Sequence, residues 1–133
     1  MTLTPKNSGW IEVICGSMFS GKTEELIRRI RRAEIAKMNT IIFKPNLDNR
    51  YSSNHIVSHN QSKMESILVE DINEILENST EMDVIGIDEA QFFSNELIPV
   101  CKKLAKDNKR VVVAGLDTDF KGIPFGPMPA LMC

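Results

Sequence analysis

Residues 16–23 constrain this chain more than any other segment, because they match the pattern G-x-x-x-x-G-K-[ST] in full. The glycines of such a loop let the backbone curl around an anion, and successive N–H groups then point inward at phosphate. Lys22 supplies a cation for the β- and γ-phosphates of a nucleotide, and the Thr23 hydroxyl is a ligand for Mg²⁺. The residues predicted to hold the nucleotide are therefore Gly16, Ser17, Met18, Phe19, Ser20, Gly21, Lys22 and Thr23.

The segments on either side of this loop favour a phosphate site over a chance turn rich in glycine and serine. Residues 10–15 form a short apolar run, which is typical of a strand, and residues 21–37 place apolar side chains at helical spacing. A helix that begins at the end of the loop adds the positive end of its dipole to the anion site. The sequence around the loop therefore agrees with its predicted chemistry.

Further strands and helices follow along the chain. Three more apolar runs occupy residues 40–43, 83–87 and 110–114, and like the first they are rich in β-branched residues and mostly non-alternating. Such runs are typical of strands covered on both faces. Residues 95–107 have helical spacing, and residues 71–78 form a shorter candidate helix with Asp71 as its N-cap. This alternation predicts an α/β fold, a mainly parallel sheet flanked by helices, with a P-loop NTPase core of the RecA-like kind.

Three segments lack a clear regular pattern. We expect residues 1–9 to be a flexible tail and residues 10–133 to form one domain. Within that domain, residues 45–66 are polar with weak periodicity and are predicted to be a long loop with at most one short strand. Residues 116–133 are predicted to have no regular element.

The charge and hydropathy of the chain give no reason to expect a nucleic acid partner or a membrane span. The formal net charge is −2, which gives no reason to expect a nucleic acid or a membrane as partner. No segment approaches the roughly 20 apolar residues of a membrane span. Residues 1–10 also lack the apolar stretch of a signal peptide. We therefore expect a cytoplasmic location.

The cysteines are too few and too far apart for a disulfide framework. Cys15, Cys101 and Cys133 are widely spaced and form no CxxC pair, which also argues against a complete zinc site within this chain. Cys15 and Cys101 have apolar sequence neighbours, and both are predicted to be small buried core residues.

A pair of acids ends the third apolar run. Neighbouring strand residues point to opposite faces, so Asp88 and Glu89 are expected to have different roles unless the backbone turns. In a P-loop protein the acid at the strand end, here Asp88, reaches the Mg²⁺ held by Thr23. Glu89 is then available to act on a nucleophile. A substrate hydroxyl as nucleophile would make a kinase and water would make an ATPase, and the acid pair does not decide between them.

Four blocks of the sequence together resemble the cellular-type (type II) thymidine kinase family. They occur in the family's order and spacing, and the resemblance covers the chain from about residue 10. The blocks are residues 16–23, Lys44-Pro45 with residues 48–53, residues 88–93, and residues 115–120 with residues 124–126. A P-loop ATPase motor would not account for the second and fourth blocks. The intact Lys22, Thr23, Asp88 and Glu89 argue against a nucleotide-binding subunit without turnover.

The resemblance implies that the γ-phosphate of ATP is transferred to the 5′-hydroxyl of deoxythymidine by a P-loop ATP-binding kinase domain, in a homotetramer. By that analogy Glu89 is the general base, Asp88 serves Mg²⁺, and Arg50 stabilises the transferring charge. Asp48, Ala90 and Gln91 match positions of the nucleotide site. The residues that match the nucleoside pocket are Met18, Phe92, Leu116, Phe120 and Phe125.

Family members continue past the position of Cys133 into a segment with a CxxC zinc site and loops that close over the thymine. The resemblance therefore implies that structural Zn²⁺ lies outside these residues, and Cys133 is not assigned as a ligand. It also implies that residues 1–133 alone bind Mg-ATP but phosphorylate thymidine poorly.

Overall fold

The fold was analysed in a computed structural model, which describes residues 9–16, 21–46, 55–57, 63–116, 127, 128 and 131. Its strands are β1 (Trp10–Gly16), β2 (Thr40–Pro45), β3 (His55–Val57), β4 (Lys63–Glu65), β5 (Ile67–Val69), β6 (Val84–Ile87) and β7 (Arg110–Leu116). Its helices are α1 (Lys22–Ile35), α2 (Asn73–Asn78) and α3 (Leu97–Lys106), with a 3₁₀ turn at Ala90–Phe92.

The main sheet has five strands in the order β1-β7-β6-β2-β5, and every pair in it is parallel. β7 therefore lies between the strand that precedes the glycine-rich loop and the strand that ends in the acid pair. β3 and β4 form a separate antiparallel pair. All four residues of β6 are buried, as expected for a central strand covered on both faces. The predicted α/β fold with a mainly parallel sheet flanked by helices is confirmed.

The helices cover the two faces of the sheet. Leu26, Ile27, Ile30 and Ala33 of α1 pack on one face with side chains of β2, β6 and β7. Helices α2 and α3 pack on the other face, where Phe43 and Ile85 are among the fully buried residues. Cys101 of α3 lies in this second core, as predicted, and burial raises the pKa of its thiol to about 12.

The structure differs from the sequence-based expectation in several elements. Residues 45–66 contain two short strands, β3 and β4, where at most one was predicted, and the three residues of β5 add an edge strand that was not predicted. Helix α2 begins at Asn73 with Ile72 at its N-cap, while the Asp71 carboxylate accepts a hydrogen bond from the Asn73 N–H at 2.9 Å. In the 116–133 segment, the Leu131 N–H donates to the Pro127 carbonyl at 3.2 Å, a helical-turn hydrogen bond.

Cys15 is exposed, so its assignment to the core was wrong. It lies on β1, which is an edge strand of the main sheet. Its partner in the neighbouring strand is Gly115, which has no side chain to cover the thiol. Apolar neighbours in the sequence do not bury a residue when the adjoining strand contributes no side-chain volume.

An ion-pair cluster joins β1, β7 and α1 on the α1 face. The Glu12 carboxylate accepts hydrogen bonds from Arg29 at 2.9 Å, from both the Nε and an Nη of Arg110, and from the Trp10 indole at 2.7 Å. Burial alone would raise the pKa of Glu12, but the bonds from Arg110 and Trp10 and the charges of both arginines outweigh it, so the pKa is lowered. The Glu12 side chain is 21% exposed, so screening of this cluster is incomplete.

Replacing Glu12 by glutamine should lower the free energy of unfolding by about 1–3 kcal/mol, because two partly buried arginines lose their counter-charge. Since the pKa of Glu12 is lower in the folded state, its contribution is present above its unfolded pKa and is lost as the pH falls through the folded value. Thermal melts of wild type and Glu12→Gln should therefore converge at acid pH. Glu77→Gln, at an exposed position of α2, is the matched control. An equal loss of stability in that variant would show that the ion-pair cluster is not the cause.

Candidate active site

The glycine-rich loop connects the end of β1 to the start of α1. Gly21, just before the helix, has φ 82° and ψ 21°, a left-handed conformation in which a Cβ would be strained. Among the described residues no side chain caps α1, so its first N–H groups remain available to a ligand. Lys22 is the first residue of the helix and Thr23 the second. This end of α1 therefore has the geometry of an anion site.

The Thr23 hydroxyl lies against Asp88. Its Oγ1 is 3.4 Å from Oδ1 and 3.3 Å from Oδ2 of the carboxylate, which connects the start of α1 with the end of β6. The Asp88 N–H donates to the Phe43 carbonyl at 2.8 Å, so the β2–β6 pairing fixes its backbone. Asp88 is only 6% exposed. The two residues predicted to share a metal ion are therefore adjacent, 65 positions apart in the chain.

The pKa of the Asp88 carboxyl is raised to about 6. Burial is the largest cause and the negative charge of Glu89 is the second. Hydrogen bonds from the Glu89 N–H and the Thr23 hydroxyl, and the positive charge of Lys44, oppose the rise. A buried carboxylate with this pKa destabilises the fold when it is ionised and is typical of functional sites.

Asp88→Asn should raise the free energy of unfolding of the metal-free protein at pH 8 by about 1–3 kcal/mol, because it removes a buried charge while an amide oxygen can still accept from Thr23. Because the pKa of Asp88 is raised in the folded state, ionisation of its carboxyl destabilises the folded wild type above about pH 6. Below the unfolded pKa near 4 this destabilisation is absent. The gain should shrink as the pH falls between these values. Thermal melts in a chelator, with the exposed Asp107→Asn as control, measure it. A gain independent of pH would contradict the burial argument.

The backbone turns sharply at Glu89. This residue has φ 51° and ψ 43°, the left-handed region that a non-glycine residue rarely occupies and that costs on the order of 1 kcal/mol. The turn ends the alternation of β6, so Glu89 does not simply face away from Asp88. Its charge acts on the Asp88 carboxyl, which places the two acids in electrostatic contact.

Lys44 lies in β2, the strand beside β6, and on the same face of the sheet as Asp88. The preceding residues Phe43 and Ile87 are paired across β2 and β6, so Lys44 falls next to Asp88. Sequence reasoning assigned Lys44 no role of its own. The available signal was a charged residue at the carboxyl end of an otherwise apolar strand.

A family model described as thymidine kinase matches residues 9–133. The chain belongs to the thymidine kinase family. It is also 58% and 57% identical, over 126 residues, to thymidine kinases of two Bacteroides fragilis strains. The alignments cover 95% of this chain and 63% of each relative, so the chain spans less than two thirds of their length.

The residues after Glu89 occupy different environments in this thymidine kinase family member. Ala90 is fully buried and Gln91 is 7% exposed, so their side chains contribute to the packing beneath the acid pair. An added Cβ on Gly115 would lie 2.8 Å from the Gln91 Oε1 and 2.9 Å from the Met128 Sδ. Only a glycine at 115 therefore lets Gln91 pack this closely on β7.

Phe92 is the exposed member of this turn, with 46% of its surface accessible. It lines an open cavity of about 570 Å³ at the carboxyl end of β2, together with Pro45, Asn46, Val69, Glu70, Asp71, Ile72, Phe93, Ser94 and Glu96. An exposed aromatic ring that lines an open cavity fits the predicted contact with a nucleoside, which stays a prediction.

Other predicted site residues lie outside the described part of the chain. They are Ser17, Met18, Phe19, Ser20, Asp48, Arg50, Phe120 and Phe125. Leu116 is described in its backbone, as the last residue of β7. The structure therefore brings together Gly21, Lys22, Thr23, Asp88 and Glu89 and does not test the nucleoside pocket.

Within the described residues, no group of three or more His, Cys, Asp or Glu side chains is arranged to hold a metal ion. None of the helices in that part of the chain has the length and apolar character needed to cross a membrane.

Proposed function

We propose that the protein is a thymidine kinase that transfers the γ-phosphate of ATP to the 5′-hydroxyl of thymidine, giving dTMP and ADP. The observation that carries this proposal is the contact between Thr23 and Asp88, which joins the start of the P-loop helix to the acid-bearing strand. Membership of the thymidine kinase family and the names of the Bacteroides fragilis relatives support thymidine as the acceptor.

The donor set at this point fits Mg²⁺. A threonine hydroxyl and a carboxylate are hard oxygen ligands, and Mg²⁺ binds such sites with one or two protein ligands plus phosphate oxygens. Thr23 and Asp88 would hold the ion. When bound, Mg²⁺ supplies positive charge to the β- and γ-phosphate oxygens. Burial raises the pKa of Asp88, and the hydrogen bond from the Thr23 hydroxyl opposes this rise, which favours the ionised form that a metal requires.

Glu89 is the proposed general base. It accepts the proton of the 5′-hydroxyl while that oxygen forms a bond to the γ-phosphorus, and the bond to the β-phosphate oxygen breaks to release ADP. The left-handed turn at Glu89 ends the β6 alternation, so its carboxylate acts at the same end of the sheet as Asp88, where the reaction is proposed to occur. Lys22 and the loop N–H groups stabilise the phosphates, and Arg50 and Asp48 complete the phosphate site.

The remaining parts of the proposal concern the setting of the enzyme. We assign it to the cytoplasm, as a homotetramer without nucleic acid partners. The net charge of −2 gives no reason to expect a nucleic acid partner, and the exposed apolar side chains Ile35 and Met38 near the end of α1 offer a surface for contact between subunits. Residues 1–9 are proposed to be a tail and residues 10–133 the kinase domain. No zinc ligand is assigned among the described residues.

Identification of the product tests the reaction. In protein that spans the full length of its relatives, thymidine and Mg-ATP should yield a compound with the mass of dTMP, and phosphorus NMR should show a 5′-phosphate ester. Uridine serves as a matched acceptor that differs in its sugar and its base methyl group. Formation of inorganic phosphate without dTMP would overturn the proposal in favour of an ATPase.

A further inference from the structure

Lys44 is a second lysine at the phosphate end of the sheet. It follows Phe43 in β2, and the pairing of Phe43 with Ile87 places it beside Asp88, since paired residues of parallel strands point to the same side. Ile42 belongs to the core on the α1 face, so two residues later Lys44 points to that face as well. Its side chain is half-buried.

Asp88 also points to the α1 face, because the hydroxyl of Thr23, in the first turn of that helix, reaches the Asp88 carboxylate. Lys44, Asp88 and Thr23 therefore share one face at one end of the sheet. Burial and the Glu89 charge raise the pKa of Asp88, and the positive charge of Lys44 is among the effects that lower it, so the ammonium acts on this site.

The position of Lys44 relative to the loop indicates which phosphate it meets. Along the edge of the sheet the order is β1, β7, β6 and β2, so Lys44 lies beyond Asp88 as seen from the glycine-rich loop. Glu89, which follows Asp88, is the proposed base for the attack on the γ-phosphate. The terminal phosphate therefore belongs at the Asp88–Glu89 side, where Lys44 is the adjoining cation.

We propose that Lys44 binds the γ-phosphate of ATP, as a second cation besides Lys22 that neutralises the charge between the nucleotide and the two carboxylates. This inference rests on the proposed function, because it takes ATP as the ligand. It predicts that Lys44 distinguishes ATP from ADP, which lacks the γ-phosphate. A residue that only supports the fold would affect both nucleotides alike.

Calorimetric titration with a non-hydrolysable ATP analogue and with ADP, both with Mg²⁺, tests this without any acceptor. Lys44→Met should weaken binding of the analogue by about 10- to 100-fold, the range of one charge-assisted contact, and leave ADP binding within about twofold. Lys44→Arg should retain most of the preference because it keeps the charge. Lys102→Met, on the exposed side of α3, is the matched control and should bind both nucleotides normally.

An unchanged ratio of the two dissociation constants in Lys44→Met would overturn the role of Lys44, whether both nucleotides bind normally or both lose affinity equally. Melting curves identify an unfolded variant, and Lys44→Gln then replaces Lys44→Met under the same criteria. Failure of the proposed function has a separate signature, namely a wild-type protein that prefers the ATP analogue to ADP but makes no dTMP.

Discussion

Lys22→Ala should reduce kcat/KM for ATP in thymidine phosphorylation by about 10³-fold or more while the protein remains folded. Lys22 is the first residue of α1, where the helix dipole and the N–H groups of the first turn converge on one anion. Its ammonium is the part of this site that can follow the phosphoryl group as charge develops. Truncation to alanine removes that charge, while alanine is the best helix former.

The measurement is initial rates over a range of Mg-ATP concentrations at saturating thymidine, with a melting curve for each protein. Lys106→Ala, an exposed lysine in the last turn of α3, is the control for loss of one positive charge. Activity of Lys22→Ala within tenfold of wild type would mean that the loop does not bind the transferred phosphate. A large fall in melting temperature would instead point to a structural role.

Glu89→Gln should lower kcat by about 10²- to 10⁴-fold, the usual contribution of a positioned general base. Glutamine preserves the size of the side chain and retains a hydrogen-bond acceptor, but it cannot take the proton of the 5′-hydroxyl. ATP affinity should barely change, because Asp88 and Thr23 still lie together at the proposed metal site.

Nucleotide titration in parallel with the rate measurement separates the two acids. If ATP affinity fell in step with kcat, Glu89 would be a metal ligand and the proposed division of roles between Asp88 and Glu89 would be wrong. Glutamine has a Cβ just as glutamate does, so the energetic cost of the left-handed backbone at this position stays similar in the variant.

The architecture was largely predictable because its central strands β6 and β7 are buried on both faces. Their continuous apolar character is what a covered parallel strand requires, and α1 and α3 have clear helical spacing. β5 escaped prediction because Ile67–Val69 is only three residues long and pairs on one side, with β2. Short edge strands leave too little pattern to separate them from a loop.

Within the candidate site, the sequence predicted which residues lie together better than how the backbone presents them. The loop pattern and the acid after β6 both follow from the needs of phosphate and metal, and the structure places Thr23 beside Asp88. No sequence pattern predicts the left-handed turn at Glu89, because backbone strain at a non-glycine residue depends on tertiary contacts. The proximity of Lys44 to Asp88 depends on strand order and register, which local patterns do not contain.

The central claim is that this site couples ATP cleavage to thymidine, and the stoichiometry of ADP and dTMP formation tests it most directly. We expect ADP formation to require thymidine, to match dTMP in equimolar amounts, and to fall with it in Glu89→Gln. ADP released at the same rate with and without thymidine would contradict the account, because it would identify water as the acceptor.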